Sequence, residues 1–450
     1  MATHDDRVLI TSTDGEPSYD AARRALTASA VVPDLCPAVV ARAQDVDDVR
    51  AALALAEREG LAVACRSGGH SAAFSMLRDG CLALDLSGLD GSEVDVAAGT
   101  AVVGPGTTSL ALARALHGTG WAFPVGHRAG VGLGGFLLAG GNGWNQGVWG
   151  SAVESVVAAD VVLADGRTVR LSAAQDPEAF ALLRGAGPGF PGIVTAFHLR
   201  LWPEPVVRRR IVSFPAARVD EVGAWADHLA AAIDPAVELT AFLAPPGSPM
   251  HPDLDGVALT VAATAFAPTA SAGEELLAVV DASAPAGGRV AYAGAGDVPA
   301  MTEAETAPPG LGLAFQQAWT RTGYAEVLPL LVAPMAAAPS VWSSILVSSS
   351  SYRRAAAPAP EPAYLPLGTL TVAAYANWRP GERDDEAWAW PTAAVETLRP
   401  LWSGHYVGEV DLRRTPERLG ACFRPGVLDR LAALRTRLDP TARFVAHPAG

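Results

Sequence analysis

Three glycine-rich segments and one stretch of the tail hold the residue types in this chain that could do chemistry. The first is Arg66-Ser67-Gly68-Gly69-His70-Ser71. Adjacent glycines let the main chain approach a ligand and turn N–H groups towards it, and the arginine adds a fixed cation. That combination suits a pyrophosphate; the plain alternative is a strand-to-loop turn with a surface histidine. The second segment runs from Gly130 to Trp144, and seven of its first fourteen residues are glycine. Each glycine costs roughly 0.5–1 kcal/mol of backbone entropy in an ordered element, so something flat or bulky is expected against this main chain. Gly130, Gly132 and Gly135 satisfy G-x-G-x-x-G. A Rossmann turn is not implied, because Pro124, His127 and Arg128 interrupt the strand that should precede it. The third segment, Arg184 to Thr195, feeds glycines into the strand-like Ile193-Val194. In the tail, Tyr406-Val407-Gly408-Glu409 offers a carboxylate. It can serve as a general base if burial lifts its pKa; otherwise Glu409 is a solvated residue beside Asp411.

The elements that must position these segments follow from periodicity. Residues 38–205 alternate short strands (Ala38–Ala43, Leu61–Cys65, Cys81–Leu86, Ala101–Val103, Val156–Leu163, Ile193–Leu201) with helical patterns after Asp45 and at Ser109–His117. Ala164-Asp165-Gly166 reads as a hairpin turn. Pro203 and Pro205 mark a boundary. From 206 to 400, strand-like runs (Val257–Phe266, Ser344–Ser350, Thr369–Trp378) are separated by helices near 217–232, 271–281, 323–332 and 384–400. This spacing implies one open sheet covered by helices on one face. Tyr375 and Trp378 lie three apart on one strand, so one of them faces a cleft. The other aromatics of this half are expected mainly in the core. Arg208-Arg209-Arg210 is expected in a solvated turn, and Ala355–Pro362 in a loop. His127 and His405 flank the motifs as local hydrogen-bonding residues. The tail, from 404, holds one helix, Gly426–Leu438.

Composition removes whole classes of function. The chain has 450 residues, half of them apolar and 18% charged. Its 33 basic side chains are all arginine and face 47 acidic ones, for a net charge of −14. Without lysine there is no Schiff base, no pyridoxal-phosphate enzyme and no Walker loop. The acidic balance argues against nucleic acid. Cys36, Cys65, Cys81 and Cys422 lack CxxC spacing and are expected as reduced core residues, with no metal site. Met1 to Asp6 has no basic region or apolar run, and no apolar stretch is long enough to span a membrane. A cytoplasmic protein is expected.

In this order the motifs resemble those of the vanillyl-alcohol-oxidase superfamily, and more closely the berberine-bridge-enzyme-like FAD-linked oxidases. The likeness runs from Tyr19-Asp20 to the tail. It implies an α+β fold: a two-subdomain PCMH-type FAD-binding domain (residues 1–205), then a substrate domain with a large antiparallel sheet backed by helices (206–403). The tail (404–450) would return to the FAD domain. The implied flavin-contacting residues are Arg66, Ser67, Gly68, Gly69, His70, Ser71, Arg128, Gly130, Gly132, Gly135, Gly140, Gly141, Gly143, Trp144, Gly192, Ile193, Val194 and Tyr406. The resemblance also implies a bond from His70 to the flavin 8α-methyl. Arg128 occupies the place where many relatives attach the flavin a second time through cysteine, so attachment through His70 only is expected. Phe136 replaces a family histidine. Glu409 stands where the Y-x-N-Y pattern puts a tyrosine base, which makes Glu409 and Tyr406 the catalytic candidates. Reduced flavin carries negative charge near N1 and C2=O, and Arg128 is the leading cation for it.

The implied function is oxidation of a small organic substrate (an alcohol, sugar, amine or phenolic natural product, in secondary metabolism). Hydride would pass to flavin N5, with O2 as acceptor and H2O2 as product. A monomer or homodimer is expected, with no nucleic-acid or membrane partner. Two rivals are a redox-neutral cyclase, lyase or isomerase, and a non-catalytic flavin carrier.

Overall fold

The computed structural model describes residues 9–11, 18–251, 253–304, 308–349 and 360–447. Met1 to Asp6 and most of Ala355–Pro362 lie outside the described residues.

The first half builds two small sheets. One has four strands, in the order Leu9–Thr11, Val39–Arg42, Leu82–Asp85, Val63–Arg66, with the last three parallel. The helix Val46–Arg58 starts on Asp45, whose carboxylate accepts from the Asp48 N–H, and packs Val49, Leu53 and Ala56 on this sheet. The apolar i, i+4, i+7 spacing in the sequence is what makes that face. The second sheet has five antiparallel strands, ordered Ser92–Asp95, Thr100–Val103, Ile193–Arg200, Val156–Val162, Thr168–Ser172. Its last hairpin closes on Gly166, at φ 79°. Both sheets end at the glycine-rich segments: Arg66 closes a strand of the first and Ile193 opens a strand of the second.

The second half is one eight-stranded antiparallel sheet built from strands between Val206 and Gly404. Helices Val219–Ala232, Ala270–Ser283, Tyr324–Ala336 and Asp384–Glu396 cover one face. Period-two alternation sorts the side chains. In Val237–Ala244, Leu239, Ala241 and Leu243 enter the helix-covered core, while Glu238, Thr240 and Phe242 face a cavity. Trp378 likewise joins the core and Tyr375 faces the cavity.

Two expectations are corrected. Arg208, Arg209 and Arg210 lie inside the strand Val206–Pro215, not in a turn. Arg208 and Arg210 pair across to Glu274 and Asp281 of a covering helix, at 3.1 and 2.8 Å. Arg209 points the other way, to the cavity, and donates to Thr264 Oγ1 at 3.3 Å. A charged run is therefore compatible with a strand when each face supplies partners. All four cysteines are free, but Cys36 is exposed rather than in the core.

The tail helix is Val427–Leu438, with Gly426 as its N-cap. The tail returns to the first sheet, where Phe444 pairs with Val63 in a parallel bridge. Among the described residues no helix is long and apolar enough to cross a membrane.

Candidate active site

The sequence motifs converge on one cavity of about 690 Å³ between the two halves. Its walls include Arg66 to Ser71, Arg128, Gly132, Gly135, Gly143, Trp144, Gly192 to Val194, Tyr406 and Glu409. Gly130, Gly140 and Gly141 of the expected set do not line it. A side chain at Gly130 would meet the His70 ring, and one at Gly140 would enter the Tyr364 ring. The Gly141 N–H donates to the Tyr406 hydroxyl at 3.0 Å. These three glycines make room for protein, which glycine density alone cannot separate from room for a ligand.

The first two glycine segments pack against each other. A Cβ on Gly132 would run into the Ser67 hydroxyl and the Gly68 nitrogen, and a Cβ on Gly68 would reach the Gly132 nitrogen. Ser67 Oγ donates to the Pro105 carbonyl. Among the described residues, the N–H groups of Ser67 to Ser71 donate to no protein acceptor. Arg66 is anchored through Nη1 to Asp85 at 3.0 Å, while its Nε is buried without a partner. A row of free N–H groups beside a fixed cation fits the phosphates of a dinucleotide. With glycines in its wall and a volume of about 690 Å³, the cavity fits a flavin on this observation.

His70 lies next to Gly130, and burial, then Arg128 and Arg66, lower its pKa to about 4. Its imidazole is neutral at physiological pH. The Arg128 guanidinium stands 4.5 Å over the Tyr375 ring centroid. The Tyr375 hydroxyl donates to Glu409 Oε1 at 2.9 Å. Burial raises the Glu409 carboxyl, while the Tyr375 hydrogen bond, Arg128 and His127 pull it down. Burial likewise pushes Tyr375 well above its ordinary range, helped by Glu409. Tyr375 bonds Glu409, and Tyr406 and Tyr364 also feel its charge. Of the tryptophans, Trp144 and Trp342 reach the cavity.

Sequence reasoning missed Glu238, Asn142 and Tyr364. Glu238 lines the cavity and holds His127 Nε2 at 2.9 Å. Tyr364 donates to Asn142 Oδ1 at 2.6 Å and packs its ring 5.0 Å from that of Tyr406. Glu238 had a readable signal, a lone acid on the cavity parity of an apolar strand. Tyr364 had none, since it reaches the glycine segment across 222 residues of chain.

Residues 37–172 match the family model of the FAD binding domain. The FAD-linked oxidoreductase janO of Penicillium janthinellum is 37% identical over 227 residues, covering 50% of this chain and 51% of the relative. The FAD-linked oxidoreductase ptmO of Penicillium ochrochloron is 33% identical over 274 residues, 60% of this chain and 59% of the relative. The chain thus spans about half the length of the first of these relatives. Among solved structures, 6-hydroxy-D-nicotine oxidase of Arthrobacter nicotinovorans superposes with a TM-score of 0.81 at 21% identity, covering 100% of this chain and 99% of the other. The berberine-bridge-like protein 1 of Physcomitrella patens gives 0.81 at 19%, covering 99% and 97%. These identities carry the fold alone. Residues 37–172 thus match an FAD binding domain, the fold is one shared with berberine-bridge-like proteins, and the sequence relatives are named FAD-linked oxidoreductases.

Proposed function

We propose that the chain is an FAD-dependent oxidase of a small organic substrate, with Glu409 as proton acceptor and the flavin bonded through His70 alone. The observation that carries this reading is the Glu409–Tyr375 hydrogen bond inside the cavity, at 2.9 Å, under the Arg128 cation. Bound FAD would supply a hydride acceptor at N5 and pass the electrons to dioxygen, giving H2O2.

The chain's own residues supply the rest. Ser67 to Ser71 and Arg66 would hold the phosphates. His70, neutral by burial, presents an imidazole lone pair for attachment. Arg128 cannot form a thioether, and its charge is suited to the pyrimidine edge of a reduced ring. Glu409 takes the proton of the substrate O–H or N–H as hydride leaves the adjacent carbon. A base with a raised pKa near the working pH is efficient at this. Names such as the xylooligosaccharide oxidase of Thermothelomyces thermophilus, 37% identical over 172 residues, 38% of this chain and 34% of the relative, support an oxidase.

The test has two parts. A panel of alcohols, sugars, amines and phenols is screened for anaerobic bleaching of the yellow holoprotein. With the substrate so found, Glu409→Gln is expected to slow flavin reduction by about 10²-fold or more while FAD stays bound. Unchanged reduction removes Glu409 from the chemistry. Turnover without oxygen uptake would replace the oxidase with a redox-neutral enzyme.

A further inference from the structure

Consecutive residues on a strand point to opposite faces of its sheet. In the strand Gly312–Thr320, Leu313 and Phe315 face the cavity, while Ala314 and Ala318 face the covering helices. Gln317 and Gln316 continue that alternation, and both are fully buried. Two adjacent buried amides on opposite faces are costly unless every polar atom is used. Both are used: each side-chain oxygen accepts a backbone N–H of the tail, the Gln316 amide nitrogen also bonds the tail, and that of Gln317 bonds the neighbouring strand. Gln317 Oε1 accepts the Tyr406 N–H at 2.6 Å, its Nε2 donates to Thr371 Oγ1 at 2.8 Å, and its carbonyl meets His405 Nδ1 at 2.7 Å. Gln316 Oε1 accepts the Asp411 N–H at 3.2 Å, and its Nε2 donates to Thr415 Oγ1 at 3.1 Å. Thr415 in turn donates to the Asp411 carbonyl at 2.7 Å.

The tail is therefore fastened to this strand at two points, Tyr406 on Gln317 and Asp411 on Gln316. Glu409 lies between the two anchors, in a turn closed by its own N–H to the Tyr406 carbonyl at 2.9 Å. Tyr375 lies on the neighbouring strand, opposite Phe315 in register and two residues along from Ala373, the partner of Gln317. One strand thus fixes both the height of the tail and, through its neighbour, the phenol that bonds Glu409.

We propose that Gln316 and Gln317 are positioning residues that set Glu409 against Tyr375 in the cavity. The proposal rests on the reading of Glu409 as the proton acceptor. Gln317→Met keeps the volume and removes both side-chain hydrogen bonds. A displacement of order 1 Å at a reacting group costs about 10²-fold, so reduction is expected to slow between about tenfold and a hundredfold.

The experiment is a double-mutant cycle on anaerobic flavin reduction in the holoprotein, with FAD content and melting temperature measured on each variant. A residue that acts through Glu409 has little left to do once that carboxylate is gone. In the Glu409→Gln background, Gln317→Met should therefore change the rate by less than about twofold. Gln317→Glu, which keeps the acceptor for the Tyr406 N–H, should recover most of the loss. If Gln317→Met does not yield folded holoprotein, Thr371→Val, which unties the Gln317 amide, takes its place in the same cycle with a smaller loss of about threefold. Additive losses in the cycle, or no loss from either variant while Glu409→Gln is slow, overturn the positioning role alone. Reduction unaffected by Glu409→Gln overturns the base and the positioning proposal together.

Discussion

The state of His70 gives a test that needs no substrate. Burial with two arginines alongside lowers its pKa from 6.5 to about 4. A group with a depressed pKa is charged only below it, so the imidazole lone pair stays available as pH falls through 6 and 5. At pH 5 an unperturbed histidine of pKa 6.5 is neutral in only about 3% of molecules, whereas one of pKa about 4 is neutral in about 90%. The attaching nucleophile is therefore about thirtyfold more abundant at pH 5 than ordinary histidine chemistry allows. Flavin-depleted protein is mixed with FAD at pH 5, 6 and 7, denatured at intervals, and run on a denaturing gel scanned for flavin fluorescence in the protein band. The expected initial rates differ by less than about twofold across that range. A collapse at pH 5 in step with free imidazole would refute the burial argument. Loss of fluorescence from the wild-type band on denaturation would refute attachment itself, and a fluorescent band from His70→Ala would place the bond elsewhere.

Further outcomes follow from the same coordinates. Gly132→Ala drives a methyl into the Gly68 nitrogen and the Ser67 hydroxyl, the latter held on the Pro105 carbonyl. Overpacking of this kind costs about 1–3 kcal/mol, so purified protein should melt lower and carry less FAD; an unchanged melting curve and full FAD content would sink the idea of a tight glycine floor. His405 and His447, both buried, are lowered to about 4 against 6.5 when exposed. Between those values the unfolded chain binds more protons than the folded one, so acidification favours unfolding by about 1.4 kcal/mol per pH unit per histidine. Asp411, whose carboxyl is raised by burial, works in the opposite direction. Urea titrations at pH 5 and 7 should show the lower stability at pH 5, and equal midpoints would contradict the buried neutral histidines.

The motifs were legible because close approach of main chains leaves glycine and little else as a choice. Gly68 and Gly132 are unreadable singly, yet their order along the chain marks the cavity floor. The strands of the second half were legible only where apolar runs were unbroken, as in Ala258–Ala267, which is buried at every position. Val206–Pro215 escaped because three arginines look like solvent when the partners, Glu274 and Asp281, are more than sixty residues away. Arg289–Gly296 escaped because it is an exposed edge strand with no apolar face to betray it. The same limit governs the site. His70 and Glu409 announce themselves by type and place in a motif, whereas Tyr375 becomes informative only when the fold puts its hydroxyl on Glu409.

Two departures from the family pattern turn out to be neighbours. The resemblance puts Arg128 in the place of a flavin-bonding cysteine and Glu409 in the place of a tyrosine, and both contact Tyr375. A carboxylate in a buried wall is pushed towards its neutral form, in which it cannot accept a proton. The guanidinium carbon lies 4.5 Å above the ring and the carboxylate 2.9 Å from the phenol oxygen, so the Arg128 charge opposes that push and favours the ionised carboxylate. Burial remains the larger influence and holds the Glu409 carboxyl above its ordinary range, with Arg128 pulling it back. A chain without lysine must draw this cation from arginine, and arginine suits the place better. Its flat guanidinium can lie on the Tyr375 ring, where the compact ammonium of lysine would seek water. Loss of Arg128 alone would leave Glu409 without one of the charges that oppose its neutral form.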